Sequence, residues 1–390
     1  MSYRVPTRDE HLAAGAPKRI LALDGGGLRG ILTLRLLAKV ETLLRARHGG
    51  APDFRLCHYY DLIAGTSTGA IIAAALAQGM AVEDLSHRYM ELGSKVFAKS
   101  RFRLGLFRAR YDKQKLVDEL KTIFGEETRL GGEELRTGLL VVTKRMDTGS
   151  PWPLGNAPGR YSRPRAGATW IPNFEYRLWQ VVRASTAAPV FFQPERIRIA
   201  EQPGRQPVDG EFVDGGVSPH NNPSLQALMY ATIGGYREDP SSRWETGADK
   251  LFLTSVGTGR GGPAKGGSKV AAKQGVAALV ALMDDCSAQV ETMMQWMSSS
   301  SGAREIDSEI GNLENDHLAG EPLLTYRRFD VPLTAASVES LLPGRLDARA
   351  IATLADMDRP ENMQALYDLG DAADLATDAD FPAEFDLPAA

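Results

Sequence analysis

The residues Gly65-Thr66-Ser67-Thr68-Gly69 lie between a segment that reads as a strand, residues 60–64, and one that reads as a helix, 70–78. This is a G-x-S-x-G pattern in a strand-to-helix setting, which lifts a serine hydroxyl off the carboxyl edge of a sheet. Glycines at both ends, Gly65 and Gly69, remove side chains that would strike neighbouring backbone in so sharp a turn. Gly69, Ala70, Ala73 and Ala74 then let the following helix come close to the sheet. Ser67 is the candidate nucleophile of an acyl transfer.

A second glycine turn precedes it. Asp24-Gly25-Gly26-Gly27-Leu28-Arg29-Gly30 follows an apolar run at 18–24 and opens a helical pattern carried by Ile31, Leu34, Leu37, Val40 and Leu44. Two chemistries fit. Glycines without Cβ let consecutive amides converge on a developing oxyanion, assisted by a helix amino terminus. Gly25, Gly27 and Gly30 also fit the dinucleotide fingerprint G-x-G-x-x-G, whose acidic partner should end the second strand about 20 residues later. Glu41, in mid-helix, and Asp53, after Pro52, are poorly placed for that task. Arg29 can support an anionic site or fix the loop.

The hydroxyl needs a base. Of the six histidines only His87, His220 and His317 follow Ser67, the order an α/β-hydrolase triad requires. His220 is the best placed of these. It closes the segment Val213-Asp214-Gly215-Gly216-Val217-Ser218-Pro219-His220. Asp214 within it ends an apolar pair and precedes a glycine turn, Gly215 and Gly216. A carboxylate there can take the serine proton directly if its surroundings are dry enough to raise its basicity. The residues alone leave both bases open.

Alternation of strand and helix patterns, with further strands at 139–143 and 251–256, predicts an α/β sheet covered by helices on both faces. Residues 1–17 read as a flexible polar arm, 148–172 as a long Pro/Gly-rich loop and 260–269 as a glycine-rich linker or surface loop. A long helix at 271–297 carries an apolar stripe of Val276, Leu279, Val280, Met283, Cys286, Val290, Met293, Met294 and Met297. That stripe suits the core, or an adaptable surface for acyl chains. The acidic tail from Asp371 offers no chemistry. The 390 residues are 43% hydrophobic and 24% charged, which excludes a disordered chain. Lys and Arg total 45 against 49 Asp and Glu, so no basic excess points to a nucleic acid polymer. Two cysteines, Cys57 and Cys286, are too few for a disulfide scaffold or a cysteine metal cluster, and no metal is expected. The amino terminus lacks the apolar core of a signal peptide, and no run approaches the ~20 apolar residues of a membrane span. The expected setting is cytoplasmic.

Together, the 24–30 turn, the 65–69 turn and Asp214-Gly215-Gly216, with Arg183-Ala-Ser-Thr-Ala-Ala-Pro-Val-Phe-Phe192 between the last two, resemble the patatin-like phospholipase family in order and separation. The resemblance covers about residues 18–260. It implies a three-layer α/β/α sandwich with a mainly parallel sheet over 18–262 and a helical carboxyl-terminal region, 263–390, packed on or capping it. It implies a Ser67–Asp214 dyad without histidine, an oxyanion hole from Gly26 and Gly27 within the set Gly25, Gly26, Gly27, Arg29 and Gly30, and no required cofactor. Ser67 would attack the ester carbonyl of a membrane phospholipid at the inner face of the cell membrane. Residues 143–158 and the long helical carboxyl-terminal region are further similar to bacterial patatin-like effectors of anti-phage systems. In these a cyclic dinucleotide such as cyclic GMP-AMP switches on the phospholipase. Lys144, Arg145, Trp152 and Arg160 have the side chains to pair phosphates or stack a base, or simply to pack the loop. The resemblance also allows a homo-oligomer. The other readings are an unregulated lipid acyl hydrolase and a nucleotide-sensing module whose hydrolase site is idle.

Overall fold

The computed structural model describes residues 3–96, 111–237, 239–261, 271–300 and 302–389. Its centre is a nine-stranded sheet. The strands are β1 (Lys18–Leu23), β2 (Leu62–Thr66), β3 (Gly138–Arg145), β4 (Pro151–Gly155), β5 (Glu195–Ala200), β6 (Val208–Asp214), β7 (Leu251–Val256), β8 (Ser298–Ser299) and β9 (Leu324–Phe329). They run in the order β5-β6-β3-β2-β1-β7-β9-β8, with β4 paired to β3 off this path. Every strand from β3 to β8 in this order pairs parallel with its neighbours, while β6 and β4 run antiparallel to β3.

Central parallel strands are covered on both faces, which is why β1, β2 and β7 read as unbroken apolar runs and are buried throughout. Alternate residues feed two cores. Leu21, Leu23, Ile63, Leu139 and Val141 face one; Ile20, Ala22, Leu62, Ala64 and Leu140 face the other. The first core is covered by α2 (Gly30–Arg47), α4 (Thr68–Ala77), α5 (Val82–Val96), α6 (Lys113–Phe124), α7 (Leu178–Ser185) and α12 (Met363–Ala372). The second is covered by α8 (Ser224–Thr232) and the carboxyl half of α9 (Ala271–Met297). Four short helices complete the fold: α1 (Arg8–Leu12), α3 (Leu56–Tyr59), α10 (Ala335–Leu341) and α11 (Ala348–Ile351). The expected α/β/α sandwich is the fold observed.

Three expectations need correction. Residues 3–12 are anchored to the fold, while 13–17 are exposed. Thr7 and Glu10 cap α1 reciprocally, Tyr3 is buried with its hydroxyl 2.9 Å from His58 Nδ1, and His11 Nδ1 lies 2.8 Å from the Asp61 carboxylate. The 148–172 stretch holds β4, whose prolines Pro151 and Pro153 are tolerated because β4 pairs on one side only. The carboxyl-terminal region is not only helical, since β9 extends the sheet beside β7. Two adjacent arginines, Arg327 and Arg328, hid that strand from an apolar scan. The 260–269 linker lies largely outside the described residues.

Asp61 shows how this frame is tied. Its buried carboxylate accepts from the Arg19 amide at 2.8 Å, from Arg19 Nε at 3.0 Å and from His11. Burial alone would push its pKa up, but Arg19, the His11 hydrogen bond and Lys18 outweigh it and hold it at about 2. A lowered carboxylate stabilises the fold at neutral pH and loses that effect as pH falls through the range between about 4 and about 2. Asp61→Asn should therefore cost about 3 kcal/mol in urea unfolding at pH 7, because it leaves a buried arginine unpaired. The deficit should shrink progressively below pH 4.

Candidate active site

Strand β3 is longer than β2, and one edge of it serves two partners. β2 runs parallel to it up to Thr66 opposite Val142, and β6 runs antiparallel to it, ending at Asp214 opposite Thr143. The other edge is occupied by β4 through Lys144, so β2 and β6 meet head to head along the same edge, one register step apart. Their carboxyl ends deliver Ser67 and Asp214 to one point. Ser67 Oγ donates to Asp214 Oδ2 at 2.6 Å.

Ser67 stands at φ 53°, ψ −123°, a conformation that costs on the order of 1–3 kcal/mol in a non-glycine residue. Its neighbours hold it there. A Cβ on Gly65 would run into the carbonyl of Gly69, and one on Gly69 into the carbonyl of Leu23, so both positions must be glycine. The Ser67 amide donates to Ser185 Oγ at 2.8 Å, and that hydroxyl donates to the Val142 carbonyl at 2.6 Å. The 183–192 segment thereby pins the turn to β3.

Asp214 is buried and also accepts from the Gly216 amide at 2.7 Å. Burial raises its pKa to about 6, against the lowering influence of the Ser67 hydroxyl, the Gly216 amide and the positive charge of Arg183. Arg183 is itself fully buried, with Nη2 donating to the Gln193 carbonyl at 2.9 Å. A carboxylate so placed, short of solvation and in contact with a hydroxyl, is suited to take that hydroxyl's proton.

The glycine turn lies beside the pair. The Gly26 and Gly27 amides donate to no acceptor among the described residues, and both residues line the cavity that holds Ser67 and Asp214. The other two glycines of the expected set are occupied. The Gly25 amide donates to the Asn221 carbonyl at 3.1 Å, and the Gly30 amide to the Gly27 and Leu28 carbonyls. Neither amide is available to an oxyanion. Arg29 is not at the mouth of the loop. It is buried, donating to the Gly259 carbonyl at 3.0 Å and to the Gly26 carbonyl at 3.4 Å, so it fixes the turn from behind. Thr68 and Tyr89 were not legible as partners in the sequence. Their hydroxyls both donate to the Gly27 carbonyl at 2.7 Å, and the Leu28 amide of the same peptide donates to the Met357 carbonyl at 2.8 Å, so this part of the turn is held from both sides. Thr258 closes the loop from below at the Gly25 carbonyl.

The cavity is apolar. Ile71, Leu92, Leu116, Phe191 and Phe192 wall it, and Leu279, Val280 and Met283 of α9 cover it. The stripe of α9 therefore divides: its amino-terminal part faces the cavity, while Val290, Met294 and Met297 are buried in the second core; the side chain of Val276 lies outside the described residues. His220 does not join the pair. Its carbonyl accepts from Thr66 Oγ1 at 2.7 Å, and its buried Nδ1 makes no hydrogen bond.

The four residues of the expected nucleotide loop do not converge. Arg145 stacks on Trp152 at 4.5 Å and pairs with Asp147. Lys144 donates to the Val217 carbonyl at 3.1 Å, and Arg160 lies over Tyr161. None of them lines the cavity around Ser67. Lys144, Arg145 and Trp152 pack the β3–β4 hairpin, and Arg160 lies outside it. Among the described residues no cluster of His, Cys, Asp and Glu could hold a metal ion, and no helix is long and apolar enough to cross a membrane.

A family model described as patatin-like phospholipase matches residues 21–228. A cGAMP-activated phospholipase of Vibrio cholerae is 28% identical over 263 residues, covering 65% of this chain and 67% of that protein. A cUMP-AMP-activated phospholipase of Escherichia coli is 34% identical over 216 residues, covering 55% and 59%. A probable inactive patatin-like protein 9 of Arabidopsis thaliana is 30% identical over 268 residues, covering 64% and 62%. The chain thus spans about three fifths to two thirds of the length of these relatives. The matched residues run from β1 through both glycine turns and Asp214 into α8, more than half of the sequence, and the dinucleotide-fingerprint reading of 25–30 falls with that match: the chain belongs to the patatin-like phospholipase family.

Proposed function

We propose that the chain hydrolyses fatty-acyl esters of membrane phospholipids with Ser67 as nucleophile and Asp214 as base. The 2.6 Å hydrogen bond between Ser67 Oγ and a buried carboxylate carries this reading. Asp214 Oδ2 takes the proton as Oγ attacks the ester carbonyl, and the Gly26 and Gly27 amides receive the oxyanion. Collapse returns the proton to the departing lysolipid alkoxide and leaves an acyl-serine, which water, deprotonated by Asp214, then hydrolyses. Two oriented amides beside a cavity walled by apolar side chains are worth roughly 100- to 1000-fold each in rate.

The apolar cavity suits an acyl chain. Its rim suits a bilayer surface: Val190 and Leu282 are 59% and 60% exposed, and each sits beside residues that line the cavity. The names of the Vibrio and Escherichia relatives support activation by a cyclic dinucleotide, and α9 across the cavity gives such an activator something to move. Anti-phage defence at the inner face of the cell membrane is the setting we assign to that switch.

Purified protein should release fatty acid from phospholipid vesicles when a cyclic dinucleotide is present. Ser67→Ala and Asp214→Asn should each reduce release at least a thousandfold; retained activity in either variant would refute the pair. Leu282→Asp and Val190→Asp should lower the ratio of vesicle to soluble short-chain ester hydrolysis about tenfold, since each removes an exposed apolar side chain whose burial in the bilayer would be worth roughly 1.5–3 kcal/mol. Asp214→Asn should also stabilise the fold. Its carboxylate has a raised pKa, so ionisation opposes folding, and the stability present below about pH 4 is lost as pH rises through about 6. In thermal melts the variant should match the parent at pH 4 and exceed it at pH 8 by on the order of 3 kcal/mol.

A further inference from the structure

A second cavity lies behind the glycine turn, and its chemistry is the opposite of the first. Its walls carry Arg260, Arg304, Arg327 and Arg328, with Glu291 and Asp330 between them. About 280 Å³ of space stands there, at the lower end of the range of sites that take small-molecule ligands. Arg328 is buried, and its Nε makes no hydrogen bond. Carboxylates of this chain hold all four guanidinium groups: Arg328 Nη2 lies 2.6 Å from Asp24 and 3.1 Å from Asp330, and its Nε lies 3.7 Å from Glu291. Arg304 Nε lies 3.0 Å from Glu291, Arg260 is 3.6 Å from Glu291 and 3.7 Å from Asp330, and Arg327 Nε is 3.2 Å from Asp380. Four converging guanidinium groups are the donor set that phosphate oxygens recognise in bidentate fashion. Tyr326 and Phe329 also contribute atoms to the lining.

This cavity touches the hydrolytic site along two routes. Arg328 donates to both oxygens of Asp24, at 2.6 and 3.3 Å, and Asp24 immediately precedes Gly25. Asp330 accepts from the Gly259 amide at 2.8 Å, and Gly259 in turn holds Arg29. The second route is α9. Glu291 and Gln295 line the polar cavity, whereas Leu279, Val280 and Met283 of the same helix cover the apolar one. Twelve residues separate Met283 from Gln295, about 18 Å of continuous helix.

We propose that the arginine-lined cavity is the effector site of the chain and takes a nucleotide carrying two phosphodiester groups. The inference rests on the nucleotide-activated reading above and gives it a location. Phosphate oxygens replace the Glu291 carboxylate as partner of Arg304 and Arg260, Glu291 is released, and α9 is freed to lift Leu279, Val280 and Met283 from the mouth over Ser67. No bond is made or broken; a ligand shifts this equilibrium by its preference for the released state.

The test is calorimetric titration of the full chain with cyclic GMP-AMP and cyclic UMP-AMP, with inorganic phosphate as control, together with hydrogen exchange of the wild-type protein. One cyclic dinucleotide should bind, and Arg304→Gln and Arg327→Gln should each weaken it tenfold or more. Its footprint should slow exchange in residues 302–304 and 324–330. Glu291→Gln should raise nucleotide-free fatty-acid release severalfold. Undiminished affinity in both arginine variants, or a footprint elsewhere, overturns the location while leaving nucleotide activation standing. If an arginine variant does not fold, the wild-type footprint decides. A chain that binds neither cyclic dinucleotide while hydrolysing vesicles at full rate overturns nucleotide activation and this inference together, and leaves the hydrolase standing.

Discussion

The hydrogen bond from Ser67 to a carboxylate deprived of water is the contact around which this molecule is arranged. It cannot be made by local sequence, because 147 residues separate the partners. It depends on β3 outrunning β2, so that an antiparallel strand from far along the chain can take over the vacated edge and end where β2 ends. The register of three strands is therefore the catalytic geometry we assign. A slip of one residue in β6 would move Asp214 to the opposite face of the sheet. The strained turn at Ser67, the two enforced glycines and the Ser185 relay hold the other partner to the same tolerance.

Much of this was legible in the sequence because each motif has steric demands that few residues meet. Glycine at 65 and 69 follows from backbone meeting backbone, and small residues in α4 follow from a helix lying close on a sheet. What escaped was set by partners distant in sequence. Tyr89 and Thr68 orient the Gly27 carbonyl through hydroxyls that no local pattern marks. Gly25 and Gly30 fit the motif as well as Gly26 and Gly27 do, yet their amides are consumed inside the fold. Strand β9 was missed because its charge is neutralised only in three dimensions, by Asp24 and Asp330. The amino-terminal segment failed as a flexible arm for the same reason: its anchors, His58 and Asp61, lie some fifty residues on.

Buried charge, so often a cost to stability, is here concentrated behind the glycine turn. Burial lifts the pKa of Asp24 to about 6 even with Arg328 against it, so its ionised form depends on that partner. A network held by compensation between opposite charges responds to any added anion, and this one adjoins both the turn and the helix covering the apolar cavity. The carboxyl-terminal region that supplies β9 and α9 is thus built into the sheet and over the site at once.

The most direct measurement is the rate at which a fluorophosphonate phosphonylates Ser67, with loss of fluoride, as a function of pH, in the parent, His220→Ala and Asp214→Asn proteins. The account predicts a single rise with midpoint near pH 6 in the parent, the same midpoint in His220→Ala, and loss of both rate and pH dependence in Asp214→Asn. A profile abolished by His220→Ala, or one unchanged in Asp214→Asn, would contradict it.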